Sequence, residues 1–263
     1  MRILVTFAIK AEFSPWSSRH PFVPYEFENW ETRREFDLFK ANIGPHEVTV
    51  LLTGIGPTSA AAAMLSVPLV LHDLCISSGL ACSLDATLNL SDVVAPLALE
   101  SLDRRASAAA DPGLIALAVA SGAKPIQLSL TSAKIVSTAE EKEQLRGKGS
   151  IVEMESTFIL AAAAEKLVPA VAVRAISDAV DEDLPVDFAR VLDSHGHLKM
   201  GGLLKEVGLS PYRIPMLIQF GRQSRAAARS LADFLDRYIS AISLNWSNVS
   251  PSRIHKIEEV SAI

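Results

Sequence analysis

IVEMESTFILAAAAEKLVPAVAVRAISDAVDE, residues 151–182, places acids at both ends of a segment that otherwise has the composition of a protein interior. Glu153 and Glu155 flank Met154 ahead of an alanine-rich run, and the apolar stretch VPAVAVRAIS then leads into Asp178. The near-continuous Val, Ala and Ile run reads as a strand covered on both faces, and the run before it reads as a helix. Helix and strand in alternation indicate a layered α/β protein. Packing alone does not call for carboxylates at those two junctions, so they are the first candidates for chemistry.

The same alternation continues outward. RILVTFAI, EVTVLLTGIG, VLHDLCISSG, SDVVAPLAL and PIQLSLTSAKIVS have strand character, with PTSAAAAMLS, DPGLIALAVAS and TAEEKEQLRGK as helical runs between them. Thr58, Asp111 and Thr138 are expected N-caps, the last forming a capping box with Glu141. A final helix is expected over RIPMLIQFGRQSRAAARSLADFLDRYISAI, with apolar residues every three to four positions and arginines on its solvated face. The polar, aperiodic residues 244–263 read as a loosely attached tail, which leaves residues 1–243 as a single domain.

Bulk properties narrow the function. The chain has 263 residues, 49% hydrophobic and 21% charged, with a formal net charge of −5. That is ample for a packed core and offers no basic face to nucleic acid. The longest apolar candidate, AAAAMLSVPLVLHDLCI, is broken by Pro68, His72 and Asp73, so no membrane span is expected. MRILVTFAIKAE has neither a long apolar centre nor a small-residue cleavage site and reads as a first strand, not a signal peptide. Cys75 and Cys82 make no disulfide framework, and a reducing cytoplasm is the expected location. Among the six histidines only His195 and His197 lie close together, and no ligand set completes them, so neither metal nor other cofactor is expected.

Several residues have a plain reading and a chemical one. Glu12 follows the first strand; it is either a surface loop acid or a carboxylate at the ligand-facing end of the sheet. GIGPTSAAAA from Gly54 and ISSGLACSL from Ile76 read as small-residue turns after strands, where backbone amides can approach a ligand. Glu153 and Glu155, one residue apart in extended chain, point to opposite sides, and helix capping is the plain alternative. Asp178 is either a loop acid or a group delivered to a pocket by the strand before it.

Taken in order, MRILVTFAIKAE, TGIGPTSAAAA and VEMES followed by VAVRAISDAVD resemble the nucleoside phosphorylase/nucleosidase superfamily, closest to the methylthioadenosine/S-adenosylhomocysteine nucleosidases and the hopanoid-associated phosphorylase-like proteins. The resemblance runs from Met1 to about Phe188. It implies a three-layer α/β/α sandwich around a mixed, partly closed sheet, and hydrolysis of the ribose–base bond of a 5′-modified adenosine. It assigns Glu12 to activating water and Asp178 to protonating purine N7 over an apolar floor. It assigns Met154 and an ionised Glu155 to the ribose, with Ser177, Gly79 and Ile135 as further substrate-binding positions. It also implies a homodimer or larger homo-oligomer, with helices such as PTSAAAAMLS as an interface.

The sequence departs from that pattern in places. Leu80 stands where nucleosidases often have Ser, and no Arg lies between Arg34 and Arg104 to clamp phosphate, unless Arg19 or the Gly54–Gly56 amides substitute. TSAKIVST lacks the usual base-stacking aromatic, so Ile135 is left to cover the base. The aromatic stretch from Pro15 to Trp30 is expected to form a distinct mouth for the 5′ group. A phosphate-dependent purine nucleoside phosphorylase and a nucleoside-binding protein without activity are the alternatives.

Overall fold

The computed structural model of the chain describes residues 1–26, 36–184 and 214–249. Its sheet is built around β1 (Arg2–Phe7), which lies parallel to β4 (His46–Leu52) on one side and to β5 (Leu74–Ser83) on the other. β5 also runs parallel to β10 (Ala170–Asp178) and antiparallel to the short β9 (Ile151–Glu153). From β10 the sheet continues through β6 (Val93–Ser101) and β8 (Lys124–Thr131) back to β9. Five strands therefore close on themselves. β4, β3 (Leu38–Ile43) and β2 (Val23–Pro24) extend from β1 as an open wing, and β7 (Ser107–Ala109) pairs with β6.

Closure depends on the length of β5. Its first residues pair with β1 from Leu74 to Ser77, and its last, Cys82 and Ser83, pair with β9. Its run of small and apolar residues, LCISSGLACS, leaves room for layers on both faces. On one side α2 (Pro57–Leu65) packs against α5 (Ser156–Glu165); on the other, α6 (Ile214–Val249) packs against α1 (Lys10–Ser17) and α3 (Pro112–Ala120). The sequence expectation of helices around a mixed, partly closed sheet holds.

Two of the expected helix starts are present. Asp111 accepts from Leu114 N at 3.0 Å, and Thr138 with Glu141 forms a reciprocal capping box on α4 (Ala139–Leu145). The third differs: α2 begins at Pro57 with Gly56 as its N-cap, so Thr58 lies inside the helix. Proline suits the first helical position because its missing N–H has no partner there. ISSGLACSL is not a turn, since Ile76 to Ser83 are all in β5. α6 continues to Val249, beyond the expected end of the domain, and the rest of the tail lies outside the described residues, as do His195, His197 and His255.

The Pro15–Trp30 stretch also reads differently. Residues 10–17 form a helix whose Phe13 and Trp16 enter the core with Phe7, Phe22 and Phe39 at centroid separations of 5.0–6.3 Å. Burying one such side chain is worth about 1.5–3 kcal/mol, which a solvent-facing mouth would forgo. Trp16 Nε1 donates to Asp236 Oδ1 at 2.7 Å, and Arg19 and His20 reach the same carboxylate, so α1 is fastened to α6. Residues 27–30 lie outside the described residues.

Candidate active site

α1 brings Glu12 back over β5. Its Oε1 accepts from Leu80 N at 3.2 Å and its Oε2 from Ala8 N at 3.1 Å. Gly79 lies beneath: a Cβ there would stand 3.2 and 3.4 Å from the two Glu12 oxygens and 3.5 Å from an Arg174 guanidinium nitrogen. Only glycine leaves that approach free. Burial pushes the Glu12 carboxyl up from its ordinary range, while the Arg174 charge and the backbone donors pull it down, and burial wins. Leu80 contributes its backbone amide to Glu12.

Arg174 was missed in the sequence, where it looks like an interruption of the apolar strand. It faces Gly79 across the β5–β10 register and is buried. One terminal nitrogen donates to Glu153 Oε2 at 2.9 Å and to Ser77 Oγ at 3.1 Å, the other to Val173 O at 3.2 Å. Its Nε has no hydrogen-bond partner among the described residues. The available signal was an acid at the end of β9, two strands away across β5, because a buried guanidinium needs a counter-charge.

Glu153 is that counter-charge. It also accepts from Thr131 Oγ1 and from the amides of Glu155 and Ser156, at 3.0 and 2.7 Å, which caps α5. Burial favours its neutral form, but Arg174 and these donors outweigh burial and hold the carboxyl below its ordinary range. The capping reading of the VEMES acids is therefore correct for Glu153.

Glu155 points elsewhere. Its Oε1 accepts from Gly56 N at 2.8 Å, and Met154 Cε comes within 3.7 Å of a Cβ built on Gly56. The glycine turn and VEMES thus meet. Burial, followed by the Glu153 charge, pushes the Glu155 carboxyl up to about 8. Burial and the Glu153 charge thus favour the neutral carboxyl in the free protein, against the ionised Glu155 that the resemblance implied.

Asp178 is buried at the end of β10, where the register slips so that Ser177 becomes the extra residue opposite β5. Such a bulge re-aims the side chain that follows it. Ser177 Oγ donates to Asp178 Oδ1 at 2.8 Å and reaches Ala81 O at 3.3 Å. The surroundings of Asp178 are not the purely apolar ones that the resemblance implied. Lys142 of α4, fully buried, donates from Nζ to Asp178 Oδ2 at 2.9 Å. A lysine stem is apolar enough to be buried when its head finds acceptors, and a helix pattern does not reveal that. Ile135 is partly exposed in the loop between β8 and α4, with no hydrogen bond to these residues. No group of His, Cys, Asp and Glu suited to a metal occurs among the described residues.

The family description of the phosphorylase superfamily matches residues 2–200. The fold is similar to that of futalosine hydrolase from Helicobacter pylori, with a TM-score of 0.68 and 18% identity, covering 91% of this chain and 97% of that one. It is similar to the 5′-methylthioadenosine/S-adenosylhomocysteine nucleosidase of Campylobacter jejuni, at 0.68 and 15%, covering 91% and 98%. The Neisseria meningitidis nucleosidase in complex with methylthio-immucillin-A gives 0.67 and 19%, covering 91% and 99%. At these identities the structural likeness speaks for the fold, and the family match, spanning most of the sequence, goes further. The chain belongs to the phosphorylase superfamily.

Proposed function

We propose that this protein is an N-glycosidase that uses water to release the base from a 5′-modified adenosine such as methylthioadenosine or S-adenosylhomocysteine. One observation carries the reading: three carboxylates are set around β5, Glu12 over Gly79 and Leu80, Glu155 at Gly56, and Asp178 opposite Cys82. Gly79 and Cys82 are three residues apart in extended chain, roughly 10 Å. That length suits a nucleoside with water at its anomeric carbon and the base at the far end.

Glu12, with its carboxyl raised by burial, takes a proton from the water that attacks C1′. Asp178, carrying a proton in the reacting complex, gives it to purine N7 as the C1′–N9 bond breaks and the electron pair leaves with the base. Met154 packs on the sugar. Glu155 meets the ribose hydroxyls, donating to one while protonated, and once ionised it stabilises the oxocarbenium-like charge. Hydrolases named for methylthioadenosine/S-adenosylhomocysteine and for futalosine share the fold, which supports hydrolysis as the reaction class.

Phosphorolysis needs an anion site, and several of the expected substitutes already have partners. Arg19 pairs with Asp233 and Asp236 at 2.6 and 3.0 Å, Gly54 N donates to Ala8 O, and Gly56 N to Glu155. Buried Arg174 is paired with Glu153. Self-association has a face available in the exposed Leu65, Val70 and Leu71. The test is a panel of adenosine, methylthioadenosine, S-adenosylhomocysteine and futalosine, followed by chromatography in phosphate-free buffer. Release of adenine from a 5′-modified adenosine without phosphate supports the proposal; turnover that requires phosphate, or none on any member, overturns it.

A further inference from the structure

Lys142 is a buried cation that the proposed reaction does not use. It lies on α4, 0% exposed, and its three ammonium hydrogens have three acceptors: Asp178 Oδ2 at 2.9 Å, Ala179 O at 2.8 Å and Glu182 O at 2.5 Å. We propose that Lys142 is a positioning residue for Asp178, fixing the orientation in which that carboxylate meets the base. The inference rests on the reading of Asp178 as the acid at the base end.

Geometry argues for a specific role over simple tethering. The segment after β10 is already fastened to α4 without Lys142: Asp183 Oδ1 accepts from Ala139 N at 2.7 Å, and Leu184 N donates to Ser137 O at 2.7 Å. A tether could therefore have ended on carbonyls alone. Instead the ammonium meets the one acid at the end of β10, whose other oxygen is held by Ser177. Removal of the ammonium leaves a buried carboxylate without a counter-charge and frees it to turn away from the base.

The other groups around the pair do not replace it. Cys82, on β5, is a thiol whose pKa burial drives up, so it stays neutral. Glu182 directs its carboxylate to Gln223 of α6 and to Ala179 N, and Glu141 is used in the α4 cap. For Lys142 itself, burial favours loss of the proton, but the Asp178 charge together with the other partners of the ammonium outweighs burial and raises its pKa.

The pair can be tested from both sides. Nitrogen NMR of the lysine ammonium groups in the wild-type protein and in Asp178→Asn needs no substrate. With Asp178 neutralised, Lys142 is expected to lose its proton at least about one pH unit lower, the low end for an opposite charge at contact distance; an unchanged titration overturns the proposal. The second arm follows adenine release from methylthioadenosine at one pH. In Lys142→Met kcat is expected to fall by about tenfold or more with KM little changed, with Lys142→Arg restoring most of it. An unchanged kcat, or a loss that Lys142→Arg does not rescue, overturns the proposal. Full activity of Asp178→Asn would instead sink the reading of Asp178 as the acid, whatever the ammonium spectra show.

Discussion

Replacing Glu155 by Gln should stabilise the unliganded protein at alkaline pH while removing its activity. The wild-type carboxyl is raised from 4.5 to about 8 by burial and by Glu153, so between those values the folded protein holds a proton that the unfolded chain releases. Stability therefore falls as pH rises through that window, and the full penalty is present above about pH 8. At about 1.4 kcal/mol per pH unit the ceiling is roughly 5 kcal/mol. Gln keeps an acceptor for Gly56 N–H but gives up a charge-assisted bond, worth about 1–2 kcal/mol, which leaves a net gain of about 3–4 kcal/mol at pH near 9. For a chain of this size that is on the order of 6–16 °C in Tm. Circular-dichroism melts of both proteins from about pH 5 to pH 9 make the comparison. The gap should open steadily with pH and level off above about 8. A gap that does not change with pH, or a less stable variant at pH 9, would refute the electrostatic account of this site.

Other consequences are open to direct measurement. Glu12→Gln and Asp178→Asn should each lower kcat for methylthioadenosine at least about a hundredfold, since both act as proton carriers, and Asp178→Asn should also melt lower because it leaves the buried Lys142 ammonium without its counter-charge. Gly79→Ala puts a methyl 3.2 Å from a Glu12 oxygen, so kcat should fall by about tenfold or more while KM changes little; an unaltered kcat would mean that the close approach is dispensable. Asp236→Asn weakens the clasp on Trp16, Arg19 and His20. Burial raises the Asp236 carboxyl, but the three donors outweigh it and hold it low, so the wild type should exceed the variant in stability at neutral pH and lose that lead in acid melts as pH drops below about 4. Leu65→Lys with Val70→Lys should shift sedimentation toward a smaller species if that face joins copies of the chain.

The fold was readable because the strands β1, β4, β5, β6 and β10 are nearly unbroken apolar runs, and buried parallel strands have to be. β9 was not readable: three residues carry no periodicity, and β9 exists because β5 and β8 offer open edges on either side. α1 was hidden by Pro15 and by aromatic residues that suggested a loop. Within the site, Glu12, Met154, Glu155 and Asp178 stand out in the sequence as acids, or their neighbour, at strand ends. Arg174 and Lys142 do not stand out. Each is one basic residue in an ordinary-looking strand or helix, and its burial is decided by an acid distant in sequence, Glu153 for one and Asp178 for the other. Charge pairing across the fold also explains why the protonation expected for Glu155 came out differently.

Whether water is the acceptor is the claim on which the account turns, and the sugar product reports it directly. With wild-type protein, methylthioadenosine and phosphate all present, proton and phosphorus NMR of the reaction mixture should show free methylthioribose appearing together with adenine. The accumulation of a sugar 1-phosphate in its place, or an unchanged nucleoside spectrum, would contradict it.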